Sequence, residues 1–343
     1  MNCYEIRLIP EAGFATPLKG DTLFGHFCWQ AAHDPDLIDG GLDRAMERYD
    51  ESPFAVFSSA FPVLAEAETA YLMKRPDMPL EHLFHIDRTD CRKALESLSE
   101  LKERRWMGVG PDWTIDLAGT AFFSDDDLQG RIMDQSPAEI RRQLIRAGAG
   151  GGVQTRFSQP HNTINRLTMT TGTGSFAPFH QDASYYHPGL PLAMLVLVDP
   201  KQTDGERIER GLERIGRWGY GRDASTGKGR FAVESRRRVE LPPAAEGDAC
   251  YTLAPCVPEA DAFDPAHFVP FIRFGKHGDR LAQGGNPFKN PVIMADDAAV
   301  FRPKNPATFE RPYIGRAVSG VSKSLPETRV QGYAPYLPLK MES

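Results

Sequence analysis

The chain opens with an apolar strand pattern followed by the pattern of an amphipathic helix. Residues 3–9, CYEIRLI, have a short strand pattern. In the segment that follows, apolar residues recur three and four positions apart, which predicts a helix with Asp21 as its N-cap. Its apolar positions are Leu23, Phe24, Phe27, Cys28 and Ala31. A strand followed by a helix predicts the start of a βαβ unit.

The second half of the chain begins in the same way. Residues 191–199, PLAMLVLVD, form an apolar run too short for most helices, which predicts a buried strand. Residues 204–219 then predict a helix with Ile208, Leu212 and Ile215 on one face, and residues 230–241 have a strand pattern. We therefore predict an α+β protein of two related modules, residues 1–185 and 186–343.

A central segment, about residues 150–180, separates the two openings. It combines glycine, threonine, asparagine and spaced arginines without a helical period, which predicts a long loop or an extended hairpin. Long loops inside compact proteins are usually functional or disordered. The interleaved apolar residues favour an ordered segment that packs against something, and they are Phe157, Ile164, Leu167, Met169, Phe176 and Phe179.

Composition limits the class of protein. The 343 residues are 41% hydrophobic and 25% charged, enough for one large domain or two ordinary ones. A net charge of −6 means that any nucleic-acid role must be local. The five cysteines lack C-x-x-C spacing, which favours reduced thiols, and they are Cys3, Cys28, Cys91, Cys250 and Cys256. No leader pattern or membrane-spanning run is present, so we expect a cytoplasmic protein without membrane contact.

The glycine-rich loop, residues 219–231 (GYGRDASTGKGRF), is the strongest candidate site. It is not a nucleotide-triphosphatase loop, because five residues separate Gly221 from Gly227 and Lys228 is followed by glycine rather than by a magnesium-binding hydroxyl. Glycines allow several amide N–H groups to converge on an anion, and nearby cations and hydroxyls add contacts. Between positions 214 and 238, eight basic residues against two acidic ones give a local charge of +6. A tight helix-to-strand turn without a binding role is the alternative.

Four segments together resemble the RAMP superfamily of CRISPR-Cas proteins. The spacing G-x-G-x-x-x-x-x-G-x-G leading into GKGRF is similar to its signature loop. Residues 16–30 (TPLKGDTLFGHFCWQ), 161–179 (HNTINRLTMTTGTGSFAPF) and 271–301, with the closing VQGYAPYLPL, resemble the Csm four family of type III-A effector subunits, of the Cas five group. The resemblance covers most of the chain in order. Arg222-Asp223 departs from it, because relatives commonly carry more basic residues there.

The resemblance implies two ferredoxin-like, RRM-related modules and a non-catalytic role without cofactor or metal. Members bind the single-stranded 5′ handle of the guide RNA (crRNA), and they contact the large Cas ten subunit and a backbone RAMP subunit; target RNA is met only indirectly. Phosphate contacts and stacked bases are the expected mode of recognition. The implied RNA-binding residues are Gly219, Gly221, Arg222, Ser225, Thr226, Gly227, Lys228, Gly229 and Arg230 in the loop, Arg156, Asn162, Asn165 and Arg166 in a thumb-like hairpin, and Lys19 before the first helix.

Catalytic alternatives remain open. Some RAMP relatives cleave repeat RNA without metal by means of a histidine, and the candidates here are His26, His161, His180 and His187. More than 100 residues follow the glycine-rich loop, which counts against that assignment. His82 and His85 have a metal-compatible spacing without an evident third ligand, and residues 124–130 are as well explained by a capped helix start as by a magnesium site.

Overall fold

A five-stranded sheet combines strands from both predicted modules. The computed structural model describes residues 1–64, 66, 69–86, 89–146 and 152–341. The strands are β1 (Asn2–Pro10), β2 (Ala55–Phe57), β3 (Phe61–Pro62), β4 (Tyr71–Lys74), β5 (Trp106–Val109), β6 (Phe122–Phe123), β7 (Gln154–His161), β8 (Phe179–Tyr186), β9 (Leu192–Val198), β10 (Phe231–Val239), β11 (Ala249–Thr252), β12 (Phe263–His267), β13 (Pro270–Arg273), β14 (Val292–Ala295), β15 (Val300–Pro303), β16 (Tyr313–Gly315) and β17 (Tyr333–Leu339). The helices are α1 (Gly20–His33), α2 (Gly41–Glu47), α3 (Cys91–Glu103), α4 (Asp125–Gln135), α5 (Ala138–Arg146) and α6 (Gly205–Trp218).

The first sheet has the order β10-β1-β9-β2, and β3 also pairs with β9. β1 and β2 are both antiparallel to β9, so they run parallel to each other with β9 between them. The unit β1-α1-β2 is thus interleaved with the unit β9-α6-β10. The boundary predicted between residues 185 and 186 consequently does not separate two sheets, because strands on either side of it pair directly.

The strands and helices of these two units follow the predicted patterns. Every residue of β9 is buried, and α6 buries Ile208, Leu212 and Ile215 as predicted. α1 and α6 pack closely, because a Cβ at Gly211 would overlap the ring of Phe27. The pattern-based prediction of these elements is confirmed.

Asp21 does not cap α1. The helix begins at Gly20, and Lys19 occupies the N-cap position without a side-chain capping bond. The Asp21 carboxylate instead accepts two hydrogen bonds from Arg273, from Nε at 2.5 Å and from Nη2 at 2.8 Å. The predicted cap is therefore wrong, and its carboxylate ties α1 to β13.

A second sheet, β12-β15-β11-β17-β16, is antiparallel throughout and lies entirely after residue 248. The buried Gln331 links it to the first sheet: its Oε1 accepts from the Phe57 N–H at 2.9 Å, and its Nε2 donates to the Phe57 carbonyl at 2.8 Å. Smaller sheets are β4-β5-β6, the ribbon β13-β14 and the hairpin β7-β8.

The central segment contains the hairpin β7-β8, paired in register from Gln154 opposite Tyr186 to His161 opposite Phe179. The predicted extended hairpin is therefore confirmed for residues 154–186, whereas residues 150 and 151 lie outside the described residues. Ser124 caps α4 through a capping box with Asp127, which confirms the helix-start interpretation of that acidic stretch.

The cysteines Cys3, Cys28, Cys250 and Cys256 are free thiols, and burial raises the pKa of each. Within the described ranges, no helix combines the length and apolar character that a bilayer crossing requires.

Candidate nucleic-acid interface

The glycine-rich loop connects α6 to β10 by two tight turns. Gly219 ends α6 with a φ of +99°, and Gly229 has a φ of +72°. A Cβ at Gly229 would overlap the carbonyl oxygen of Tyr220, whose own N–H donates to the Gly229 carbonyl at 2.9 Å. Both glycines are buried, so the chain requires them for closure of the loop.

The loop amides are largely occupied by bonds within the protein. The Gly221 N–H donates to His26 Nε2 at 3.0 Å, and the Arg222 N–H donates to Thr16 Oγ1 at 2.9 Å. Further internal bonds occupy the N–H groups of Gly219, Tyr220, Thr226, Gly227, Lys228 and Gly229. The predicted convergence of these amides on an anion is therefore wrong, because they bond residues 13–16, α1, α6 and the loop itself.

The loop presents side chains rather than amides, and two of them rest on the hairpin. Lys228 Nζ donates to the Tyr185 hydroxyl at 2.9 Å and lies 5.2 Å from the centre of its ring. Arg222 Nη2 donates to the carbonyl of Asp182 at 3.1 Å. The structure thus brings together the glycine-rich loop and the hairpin, which the sequence analysis predicted as separate RNA-binding segments.

The outer part of the loop is open to solvent. Ser225, Thr226, Gly227 and Arg230 are exposed. Asp223 has a φ of +64°, and its carboxylate lies 3.2 Å from Arg222 Nε. The acid that departs from the family pattern is thus paired with the neighbouring arginine.

His26 of α1 contacts two residues of the loop, Tyr220 and Gly221. Its ring lies 4.8 Å from that of Tyr220, and its Nε2 accepts the Gly221 N–H, so Nε2 carries no proton. Burial, aided by the nearby Lys289 ammonium, lowers the pKa of His26 to about 4. The His26 imidazole is therefore neutral, and its Nε2 lone pair already accepts the Gly221 N–H.

The hairpin extends from the body beside the loop. Its base joins the chain through reciprocal backbone bonds between Phe14 and Ser184, at 2.8 and 2.9 Å. Arg156, Asn162 and Arg166 are exposed along it, as an RNA-contacting role requires.

The tip of the hairpin is a tight turn with an uncovered apolar surface. Asn165 Oδ1 accepts the Leu167 N–H at 2.9 Å, so part of the Asn165 amide is used to form the turn. Ile164, Leu167 and Met169 are exposed there. The predicted ordering partner for these apolar residues is therefore not supplied by the described part of this chain.

Lys19 is not available as a phosphate ligand. The Lys19 side chain is only 14% exposed, and its ammonium pairs with Asp296 and with Asp297 Oδ1 at 3.2 Å. Burial lowers the pKa of Lys19, but the two carboxylates outweigh burial and raise it. The prediction for Lys19 is corrected accordingly: this lysine joins α1 to the turn after β14.

Carboxylates from outside residues 214–238 neutralise part of the local charge of +6. Arg214 pairs with Asp34 at 2.8 Å, Arg236 with Glu209 at 2.8 Å, and Arg237 with the buried Glu5. Of these carboxylates, none lies in the counted window. Arg217, Arg230 and Arg238 remain exposed.

Two aromatic residues of this surface escaped the sequence analysis. Tyr185 supports Lys228, and its place in an aromatic strand segment was a usable signal. Trp218 is exposed beside Gly219 although its spacing of three from Ile215 places it near the apolar face of α6. The helix ends there, and the described part of the chain leaves Trp218 73% exposed.

The histidine and metal candidates are dispersed. His161 stacks on Phe179 and His180 lies 3.4 Å from Ser158 Oγ on the same hairpin, whereas His187 is buried against Ser136 Oγ at 2.6 Å. His82 ends a short 3₁₀ segment, Leu80–His82. A search of the described residues finds no group of three or more potential metal ligands.

Comparisons with known proteins support the fold of this chain. No protein-family model and no curated protein matches its sequence. Among solved structures, a chain of a "Csm1-Csm4 cassette in complex with cA4" is similar with a TM-score of 0.53 and 13% identity over 100% of both chains.

Two further structures are similar over nearly the whole chain. A chain of the "Csm3-Csm4 subcomplex in the type III-A CRISPR-Cas interference complex" has a TM-score of 0.52 and 10% identity, covering 98% of this chain and 99% of that one. A Csm1-Csm4 cassette with pppApA gives 0.50 and 15%, covering 100% and 98%. This chain therefore has the fold found in subunits of type III-A Csm assemblies, as the sequence resemblance predicted.

Proposed function

We propose that the chain is a non-catalytic RNA-binding subunit of a type III-A CRISPR interference complex. It binds the 5′ repeat-derived handle of the crRNA and bridges the large Cas ten subunit to the backbone RAMP subunits. The shared fold supports a place in such a complex. The observation that carries the RNA role is the packing of the glycine-rich loop on the hairpin, where Lys228 contacts Tyr185 and Arg222 contacts the Asp182 carbonyl.

The sheet order supports an RRM-related framework. The units β1-α1-β2 and β9-α6-β10 alternate in the order β10-β1-β9-β2, the arrangement that we assign to one ferredoxin-like module. Such modules frequently bind single-stranded RNA. No α-helix follows α6 in the described part of the chain, so we assign no second ferredoxin-like module to the sheet after residue 248.

The RNA contacts are proposed to come from side chains. Lys228 and Arg230 of the loop and Arg156 and Arg166 of the hairpin can meet phosphates without disturbing the internal bonds of the loop. The ring of Phe157, which is 48% exposed and lies 6.0 Å from Tyr185 in an edge-to-face pair, offers an aromatic surface for a splayed base. Glycines 219, 221, 227 and 229 act by shaping the loop.

Charge reversal tests this role. The double variant Lys228→Glu and Arg230→Glu should reduce co-purified crRNA by at least tenfold at physiological salt, since each lost phosphate contact lowers affinity and counterion release. The matched control is Lys102→Glu with Arg104→Glu, an exposed pair on and just after α3 with the same change in charge. Equal crRNA recovery in both double variants would exclude the loop as a main contact.

The absence of catalysis is part of the proposal, and the alternative is a metal-independent endoribonuclease. Labelled repeat RNA incubated with the purified chain in EDTA should remain intact on denaturing gels. Discrete cleavage that His161→Ala abolishes would establish the nuclease instead. His26→Ala is the less informative variant, because His26 already bonds Gly221.

A further inference from the structure

Gly25, in the middle of α1, is a glycine that the packing of the described chain does not require. A Cβ on it would meet nothing within 4 Å, although the residue is half-buried. Glycine inside a helix is less favourable than alanine, so its presence needs a reason. The other glycines of α1 and α6 have one, because a Cβ on each would come within 2.7 Å of a neighbouring atom, and they are Gly20, Gly205, Gly211 and Gly216.

The open space at Gly25 lies between α1 and the segment that connects β13 to β14. Asp21, Gly25 and Trp29 follow one another at intervals of four and therefore lie along one side of α1. At one end of this row, Asp21 bonds Arg273 of β13. At the other end, a Cβ on Gly278 would lie 3.2 Å from Trp29 Nε1. The connecting segment thus runs along the row, and we call the space over Gly25 the α1 groove.

Lys289 approaches the α1 groove from the connecting segment. Its N–H donates to the Gly275 carbonyl at 2.8 Å, and a Cβ on Gly275 would lie 3.1 Å from Lys289 Cδ. Gly275 itself lies between the two positions at which the segment contacts α1. The Lys289 ammonium lowers the pKa of His26 and opposes the rise in the pKa of the Cys28 thiol. The positive charge of Lys289 is therefore close to α1.

This charge has no counter-ion among the described residues. Asp21 is the carboxylate that acts on the Lys289 ammonium, but both of its oxygens accept hydrogen bonds from Arg273. The Cys28 thiol is neutral, since burial raises its pKa to about 12. Burial accordingly lowers the pKa of Lys289, whereas two carboxylates raise that of Lys19. A half-buried cation without a partner is costly, and an anion in the α1 groove would remove that cost.

His26 supplies a second donor beside Gly25. Its Nε2 accepts the Gly221 N–H at 3.0 Å, so the neutral ring carries its proton on Nδ1. No acceptor in the described ranges takes the Nδ1 proton. The bond to Gly221 also places the α1 groove next to the glycine-rich loop, and an anion held there would adjoin the proposed RNA contacts.

We propose that the α1 groove binds one phosphodiester of the RNA, with the Lys289 ammonium and the His26 Nδ1–H as donors and Gly25 as its floor. The inference rests on the proposed function and adds a contact outside both the loop and the hairpin. Asp21 and Arg273 cancel each other and His26 is neutral, so Lys289 leaves one unbalanced positive charge, which matches a single phosphodiester. The missing side chain at Gly25 lets phosphate oxygens approach the helix.

Gly25→Ala separates binding from folding. Alanine fits the open space and favours the helix, so the denaturant midpoint of the full chain should be unchanged or higher. Its methyl group would occupy the phosphate position, so the Kd for fluorescently labelled repeat RNA, measured by anisotropy, should rise by about fivefold or more. Gly130→Ala in α4 is the matched control, because a Cβ there also meets nothing within 4 Å, and its Kd should stay at the wild-type value.

Lys289→Gln tests the charge. The Kd should rise about fivefold or more, and the slope of log Kd against log salt should fall by about one, because one phosphate contact is lost. Lys102→Gln on α3 makes the same change at an exposed lysine and should leave both quantities unchanged.

The outcomes separate this inference from the proposed function. An unchanged Kd in either Gly25→Ala or Lys289→Gln, while Lys228→Glu with Arg230→Glu loses the RNA, would overturn the groove site and leave the proposed function standing. A wild-type chain that does not bind the RNA would overturn both. A lower denaturant midpoint for Gly25→Ala would show that the space is not open and would overturn the groove site as well.

Discussion

The glycine-rich loop and the hairpin beside it differ in what they bond to the rest of the protein: the loop bonds it mainly through its backbone, and the hairpin exposes most of its side chains to solvent. In the loop, eight amides bond within the protein and the ends are buried. In the hairpin, the strands bond each other and most side chains are exposed. The loop is shaped by its glycines, whereas the hairpin is a scaffold that displays side chains.

This contrast shows that a glycine-rich sequence does not by itself identify an amide-lined anion site. The same residues that permit close approach to phosphate also permit close approach to residues 13–16 of the protein. Substitutions of the loop glycines should therefore change stability first, whereas substitutions of the exposed hairpin arginines should change RNA binding with little effect on stability.

The largest expected effect is at Gly229. Gly229→Ala forces a side chain onto the Tyr220 carbonyl at a φ of +72° and should lower the free energy of unfolding by about 3 kcal/mol or more. Gly227→Ala is the control, because Gly227 has a φ of +91° but open space around a Cβ, and should cost only about 1 kcal/mol. Denaturant midpoints measure both, and equal losses would contradict the close approach at Gly229.

The next effect is a pH dependence that comes from His26. Its folded pKa of about 4 lies below the ordinary value of 6.5, so the unfolded chain binds the proton more tightly. The contribution, at most about 3 kcal/mol, is complete above pH 6.5 and is lost as the pH falls towards and through 4.

His26→Gln isolates this contribution, since glutamine can still accept the Gly221 N–H but does not titrate. The difference in unfolding free energy between wild type and variant should change between pH 6.5 and 4, while other buried histidines cancel. A pH-independent difference would mean that His26 is not held neutral beneath the loop.

The smallest effect on stability is expected on the hairpin. Arg156→Ala and Arg166→Ala should each change the unfolding free energy by less than about 0.5 kcal/mol, yet each should reduce the salt dependence of RNA binding by about one unit of slope. Arg214→Ala, whose guanidinium is paired with Asp34, should leave that slope unchanged. If Arg214→Ala changed the salt dependence of RNA binding and the two hairpin variants did not, the RNA contacts would lie on α6 and not on the hairpin.

The local sequence pattern was sufficient to predict elements that are stabilised by residues close to them in the chain. The apolar run of β9, the spacing of Ile208, Leu212 and Ile215, and the Ser124 cap all depend on neighbours within a turn or a strand. The glycine, threonine and asparagine residues without a helical period also predicted a long loop or an extended hairpin, and the hairpin is the one that forms.

Long-range pairing could not be found in the same way. Asp21 satisfies the local rules for a cap, but Arg273, 252 positions away, provides a stronger charged partner. Lys19 precedes a helix as a phosphate-binding lysine would, but Asp296 and Asp297 neutralise it from a distant turn. The interleaving of the two βα units and the paired state of Arg236 and Arg237 depend on the same distant contacts.

The Gln331 amide has a consequence for growth of the first sheet. By satisfying both outward backbone groups of Phe57, one side chain takes the place that an added strand would occupy, so that margin of the sheet is closed to further β-pairing at this residue. The opposite edge of the same sheet is β10.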